Sequence, residues 1–262
     1  MTDVRERPAT AVPQRGRVRP GPWIFALVVT VVAIGLGVLH SPWLSLAEVE
    51  VRGAVASDPA EAVAETGVGE GAVMIWIDTD AVAAAVTADP WVADAIVRRE
   101  FPDRLVVEVL EREAVVWVEG LRTWMLVSGD GVVLERSDAP GPGVLRARVA
   151  ARDVVPGATT DERAWREVVD LAGALPADLA QGAVAEFRAG ELWLSLTGAS
   201  VRLGTPSDLA DKATVAAAIV ADGVPDGSVI DVVSPRRPAV VPPPPPLVTD
   251  PQPVVEGDTL EP

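Results

Sequence analysis

Catalysis in this chain would have to come from carboxylates. Asp78 with Asp80, and Glu111 with Glu113, are i, i+2 pairs that could divide acid and base roles between them. With 38 acidic residues among 262, such pairs arise by chance, and these are better explained as helix caps and the wet face of a strand. The absence of Cys excludes a thiolate nucleophile, a thiolate zinc site and an iron–sulfur cluster, and the single His, His40, would need a second chain to complete a triad or a multi-His metal site. Gly67 to Gly71, GVGEG, has the glycine density of a phosphate cradle but not the strand before it and helix after it, so it reads as a turn. There is no GxSxG, HExxH, Walker A or Rossmann fingerprint. Trp76, Trp91, Trp117, Trp124, Trp165 and Trp193 all lie in apolar-periodic runs and are expected to pack in a core. No catalytic residue, cofactor or metal ligand is assigned, and a net charge of −16 argues against nucleic-acid binding.

What remains is the chemistry of the backbone. Residues 228–241, SVIDVVSPRRPAVV, read as a final strand pair or one bent strand. Pro235 and Pro238 cannot donate ladder hydrogen bonds, so this strand belongs at a sheet edge. Such an edge either receives a strand from a partner or is protected from aggregation by its prolines.

The elements that would position that edge begin with an anchor. No charged residue lies between Arg19 and Glu48, and a helix over residues 23–44 would be roughly 33 Å long, enough for a hydrocarbon core of about 30 Å. Trp23 and Trp43 mark its ends. Arg5, Arg7, Arg15, Arg17 and Arg19 precede it, which puts residues 1–22 in the cytoplasm as a disordered tail and the acidic bulk outside. A cleaved secretory signal with processing near Ser41 is the competing reading.

Beyond the anchor the pattern is strand (Leu46 to Val55), helix entered through Ser57-Asp58-Pro59, extended MIWID, helix capped by Asp78 or Thr79 and stopped by Pro90, then two strands joined at Pro102-Asp103. A second region, 114–241, carries short strands around Gly120 and Gly129-Asp130-Gly131 and an amphipathic helix from Thr160 to Gly173 with Ala164, Val168 and Leu171 on one face. Three strands over EFRAGELWLSLTGASVRLG follow, then a helix capped by Ser207 and the terminal strand segment. The fold class is therefore α+β. Residues 242–262 hold eight Pro and read as an extended, disordered tail, either a spacer or a docking site for a proline-reading module.

These residues resemble the FtsQ/DivIB family of bacterial cell-division proteins. The resemblance is carried by EVEVRGA (48–54), MIWIDTDAVAAAV (74–86), DPWVADAIVRREFPDRLVVEVLEREAVVWV (89–118), VSGDGVVL (127–134), VRLGTPSDLADKATVAAAI and VIDVVSPRRPAVV. It implies a POTRA domain over 46–113, a β-rich domain over 114–241, and a non-enzymatic scaffold of the inner membrane at the division septum. That scaffold would join FtsB-like and FtsL-like proteins and help control septal peptidoglycan synthesis. The last strand, matching Ile230 to Val240, would receive a strand of FtsB, with Val233, Ser234, Arg236, Ala239 and Val240 as contacts and Ile230 and Val232 facing the core. Two departures stand out: Ser234-Pro235-Arg236-Arg237-Pro238 replaces the family's aromatic and glycine, and the usual LPxLxG loop is reduced to Val144–Gly157. A POTRA-bearing translocation or envelope-assembly component is the alternative; it calls for tandem repeats and a barrel, neither visible here.

Overall fold

The computed structural model describes residues 21–39 and 44–244. Most of both expected tails, with His40 and Trp43, lies outside the described residues. Helix α1, Pro22–Leu39, has 18 residues and no charged side chain, and at 1.5 Å per residue is about 27 Å long. That is shorter than the helix expected over 23–44, because positions 40–43 fall outside the described residues. Among the described residues no helix is long and apolar enough to cross a membrane. The side chains of α1 from Trp23 to Ile34 are exposed among the described residues.

A three-stranded sheet and two helices come next: β1 (Glu48–Arg52), α2 (Pro59–Glu65), α3 (Thr79–Val86), β2 (Val92–Glu100) and β3 (Arg104–Glu111). Strand order is β1-β3-β2, with β1 parallel and β2 antiparallel to the central β3. Local chemistry sets the helix starts. Asp58 accepts from the backbone N–H of Glu61 at 3.3 Å with Pro59 opening the helix, and Asp78 accepts from those of Asp80 and Ala81 at 3.1 Å each. Leu46, Val63, Met74, Val86, Leu105 and Val107 are buried together between helices and sheet. Val106 points to the opposite face and is also buried, flanked in register by Glu50 and Arg98, whose ion pairs with Arg104 and Glu108 cover that face. The turn between β2 and β3 contains a cis Phe101–Pro102 bond.

Two expectations fail here. Helix α3 stops at Val86, not at Pro90, because the Thr87 hydroxyl bonds back to the carbonyls of Ala83 and Ala84 and closes the last turn. MIWID is not simply extended: Met74–Trp76 form one 3-10 turn that buries Met74 and leaves Trp76 74% exposed, so Trp76 is not a core residue.

The second sheet has nine strands: β4 (Ala114–Gly120), β5 (Trp124–Ser128), β6 (Val133–Ser137), β7 (Leu145–Ala151), β8 (Val184–Arg188), β9 (Glu191–Leu196), β10 (Ala199–Gly204), β11 (Ser228–Asp231) and β12 (Ala239–Val241). Their order is β12-β11-β10-β9-β8-β7-β4-β5-β6. Helices α4 (Arg163–Ala174) and α6 (Leu209–Ala221) cover one face, and a short α5 (Ala177–Ala180) follows α4. Val116, Met125, Leu145, Trp165, Val168 and Leu192 belong to the core between sheet and helices.

Four local readings are corrected in this sheet. The segment 144–157, read as a reduced loop, contains β7, which bridges β4 and β8; its inward positions are Leu145, Ala147 and Ala151, and the two alanines are too small to register as a strand pattern. Helix α4 begins at Arg163, three residues late; Val168 and Leu171 are buried as expected, together with Trp165, Val169 and Ala172, while Ala164 is half-exposed. Gly173 lies inside it, and Pro176 bars its continuation. Ser207 does not cap α6: Asp208 occupies that position at φ 54 and makes no side-chain cap. The start of α6 is tied down by Lys212, whose buried Nζ donates to the carbonyls of Leu203 at 2.8 Å and Thr205 at 2.7 Å. Burial lowers its pKa, with Asp208 opposing.

Strand β4 is buried on both faces. Val116 and Val118 face the helices, while Trp117 packs with Leu126 and Leu134 on the other side, where Trp91 from the first unit joins them. Trp91 thereby helps to fasten the two sheets.

Candidate functional site

One carboxylate of each pair that could have done chemistry has a structural partner. Asp78 caps α3. Glu111 accepts the backbone N–H groups of Val55, Ala56 and Ser57 and the Ser57 hydroxyl, at 2.6 to 2.9 Å to one oxygen. Burial pushes its pKa up, but those four donors outweigh it and hold the carboxyl at about 2. Gly67 and Gly71 adopt positive φ in a turn. Among the described residues no three His, Cys, Asp or Glu side chains are grouped to hold a metal ion.

The site with unused bonding capacity is the β12 end of the large sheet. Strand β11 runs parallel to β10 and antiparallel to β12, with Ile230 opposite Val201 and Val240. Ile230 and Val232 are fully buried, which follows from the alternation of strand faces. The N–H of Val232 donates to Arg202 O at 3.0 Å, extending the ladder by one residue. The chain then leaves the sheet: the Val233 N–H turns to Asp231 Oδ1 at 3.0 Å, and Arg237 N–H donates to Ser234 O at 2.9 Å.

The five sequence-derived contacts are therefore not on one strand. Ala239 and Val240 lie on β12; Val233, Ser234 and Arg236 lie in the loop between β11 and β12. Pro235 and Pro238 sit in that loop, not in a strand, because neither can donate to a ladder and the Ser234–Arg237 turn takes the chain out of register. All five are exposed, with Val240 at 42% and Val233 at 39%. Val233 leans on Gly204, which holds φ +71; a Cβ at Gly204 would come within 2.8 Å of Val233 Cγ2.

Sequence reasoning missed what stiffens this edge. Arg202 on β10 bonds Glu191 on β9 at 2.7 and 2.8 Å and Asp231 on β11 at 3.2 Å, an ion-pair row across three strands. The Arg202 hydrogen bond lowers the Glu191 pKa, and Glu191 in turn raises that of Arg202. The hairpin register that sets Arg202 near Glu191 was readable from the turn at Gly198; the parallel pairing that brings Asp231 was not.

Residues 44–112 match the POTRA domain, FtsQ-type. The chain is 33% identical over 222 residues to a cell division protein FtsQ of Mycolicibacterium smegmatis, covering 83% of this chain and 64% of that one. It is 36% identical over 104 residues to the Anaeromyxobacter protein of the same name, covering 40% and 35%. It is 30% identical over 211 residues to that of Streptomyces griseus, covering 76% of this chain and 98% of the relative. The chain thus spans less than two thirds of the first two relatives. With nearly the whole Streptomyces protein matched and the POTRA unit in place, the chain belongs to the FtsQ family of bacterial cell-division proteins.

Proposed function

We propose that this chain is a non-enzymatic, single-span scaffold of the bacterial division machinery. Residues 1–22 are its cytoplasmic tail, 23–44 its membrane helix, 46–113 a POTRA domain, 114–241 a β domain and 242–262 an extracytoplasmic tail. It sits in the inner membrane at the septum, joins FtsB-like and FtsL-like proteins, and through them helps assemble and control peptidoglycan synthesis. The single observation that supports partner binding is the exposed strand β12 at the end of the nine-stranded sheet, whose outer side pairs with no other strand among the described residues. An added strand would bond to Ala239–Val241 and lay side chains against Val233, Ser234 and Arg236.

Val240→Glu tests this. Val240 is exposed, so the fold is retained, while a carboxylate on the pairing strand replaces an apolar contact worth about 1.5–3 kcal/mol. Co-purification of an FtsB-like partner from cells should fall at least tenfold. Capture at the parental level, with an unchanged melting curve, would refute strand addition at β12.

A further inference from the structure

The 3-10 turn Met74–Trp76 presents Ile75, 51% exposed, and Trp76, 74% exposed, side by side, while Met74 pins the turn into the core. This apolar pair stands where the chain enters the folded region. Ser45 forms an antiparallel bridge with Val73, Leu46 N–H donates to Ala72 O at 2.7 Å, and Gly71 N–H donates to Leu46 O at 2.8 Å. Only five residues, 40–44, lie between Leu39, the last of α1, and Ser45, six steps that reach at most about 22 Å. The turn is therefore held beside the exit of the anchor, not at the distal end of the unit. Behind Trp76 lies a shallow cavity of about 300 Å³, lined in part by Val68, Ala72, Ile77 and Val82.

We propose that Ile75 and Trp76 form a foot that rests in the headgroup and upper acyl region of the extracytoplasmic leaflet and holds the POTRA unit against the bilayer. The proposal rests on the reading of residues 23–44 as a membrane span. Trp favours that interfacial layer, where its ring is desolvated and its N–H stays bonded. The surrounding charges specify the lipid: Glu70, Asp78 and Asp80 are exposed around the turn against the cation of Arg99, whose Nη2 donates to Ile77 O at 2.5 Å, so acidic groups outnumber it and the foot suits a zwitterionic surface.

The chain has no Cys, so one introduced cysteine carries one label. The full-length protein is reconstituted in phosphatidylcholine vesicles with a nitroxide at Ile75→Cys, at Val55→Cys beyond the far end of β1, or at Val31→Cys within α1. Collision with oxygen is compared with collision with a water-soluble nickel chelate. Position 75 should favour oxygen several-fold more than position 55, and adding Trp76→Ser should bring that ratio down toward the value at 55. A water-like position 75 beside a membrane-like position 31 overturns the foot and leaves the anchor standing. Shielding of position 75 from both reagents, as a protein surface would give, also overturns it. A water-like position 31 overturns the anchor reading, and the foot with it.

Discussion

Replacing Arg112 should uncouple the two sheets. Its N–H donates to Trp91 O at 2.7 Å, its Nη1 donates to Pro90 O at 3.0 Å and to Val92 O, and its Nε donates to Asp130 Oδ2 at 2.9 Å. One guanidinium thus joins the start of β2 to the turn between β5 and β6, beside the place where Trp91 enters the Trp117 cluster. Asp130 is 53% exposed, so its ion pair contributes no more than about 0.5 kcal/mol. The carbonyls are a different matter, because Val92 is buried and would lose a charged donor, at about 1–3 kcal/mol. Arg112→Ala should therefore cost about 2–3 kcal/mol. At about 2–4 °C per kcal/mol for a chain of this size, that is roughly 5–10 °C in Tm. Asp130→Asn should cost under about 1 kcal/mol, and Arg112→Lys should recover at most half the loss, since an ammonium lacks the planar fork. Urea titration of the full chain in detergent measures all three, and hydrogen exchange at residues 90–92 locates the effect. If Arg112→Ala stays within about 0.5 kcal/mol of the parent, or Asp130→Asn costs as much as Arg112→Ala, the carbonyl-bridging account is wrong.

Two further outcomes are expected. Glu111 has its pKa held at about 2 in the folded chain, below the value of about 4.3 in an unfolded one. Its contribution is complete above the unfolded value and is lost as pH falls from there toward 2, so the parent should lose stability across that window more steeply than Glu111→Gln. Parallel acid titrations of the two proteins would contradict this. Gly53 has φ +88 and a Cβ there would collide with the Val109 carbonyl, a backbone wall, so Gly53→Ala should destabilise by about 3 kcal/mol or more. Gly204→Ala meets only the side chain of Val233 and should cost less, a contrast that denaturant midpoints would reverse if the wall can yield.

What the sequence revealed was local. The caps at Asp58 and Asp78 and the hairpin through Pro102 are each encoded within a few residues, and all three stand in the structure. Strand β7 escaped because Ala147 and Ala151 fill inward positions that a hydrophobic pattern expects to be large, with Arg146 and Arg148 on either side of Ala147. Trp76 was misplaced because an apolar run has no period that distinguishes a 3-10 turn from a strand. The terminal segment reads as a strand pair or one bent strand at an edge; the pair is what forms, β11 with β12 at the edge, but the prolines belong to the loop between them. Arg112 and Asp130 meet only because two sheets meet, and the row Glu191, Arg202 and Asp231 depends on a parallel pairing across α6. Contacts of that kind have no local signature.

The size of β12 limits what strand addition can do. The large sheet has two edges, and β6 is partly occupied: Val133 N–H donates to Ala158 O at 3.0 Å, and Gly157 N–H donates to Val133 O at 2.8 Å. Strand β12 is free of such cover among the described residues, yet it is three residues long, and Pro242, Pro243 and Pro244 after it cannot donate. At about 1 kcal/mol net per hydrogen bond, the backbone of Ala239–Val241 yields roughly 3 kcal/mol. A micromolar complex needs about 8 kcal/mol. For the proposed strand addition the remainder would have to come from the exposed loop residues Val233, Ser234 and Arg236, and from confinement of both proteins to one bilayer, which would raise their effective concentration without any new contact. On the proposed function, β12 would fix the register of a partner strand, the loop would decide which partner is accepted, and a shared bilayer would supply enough proximity for so short an edge to be sufficient.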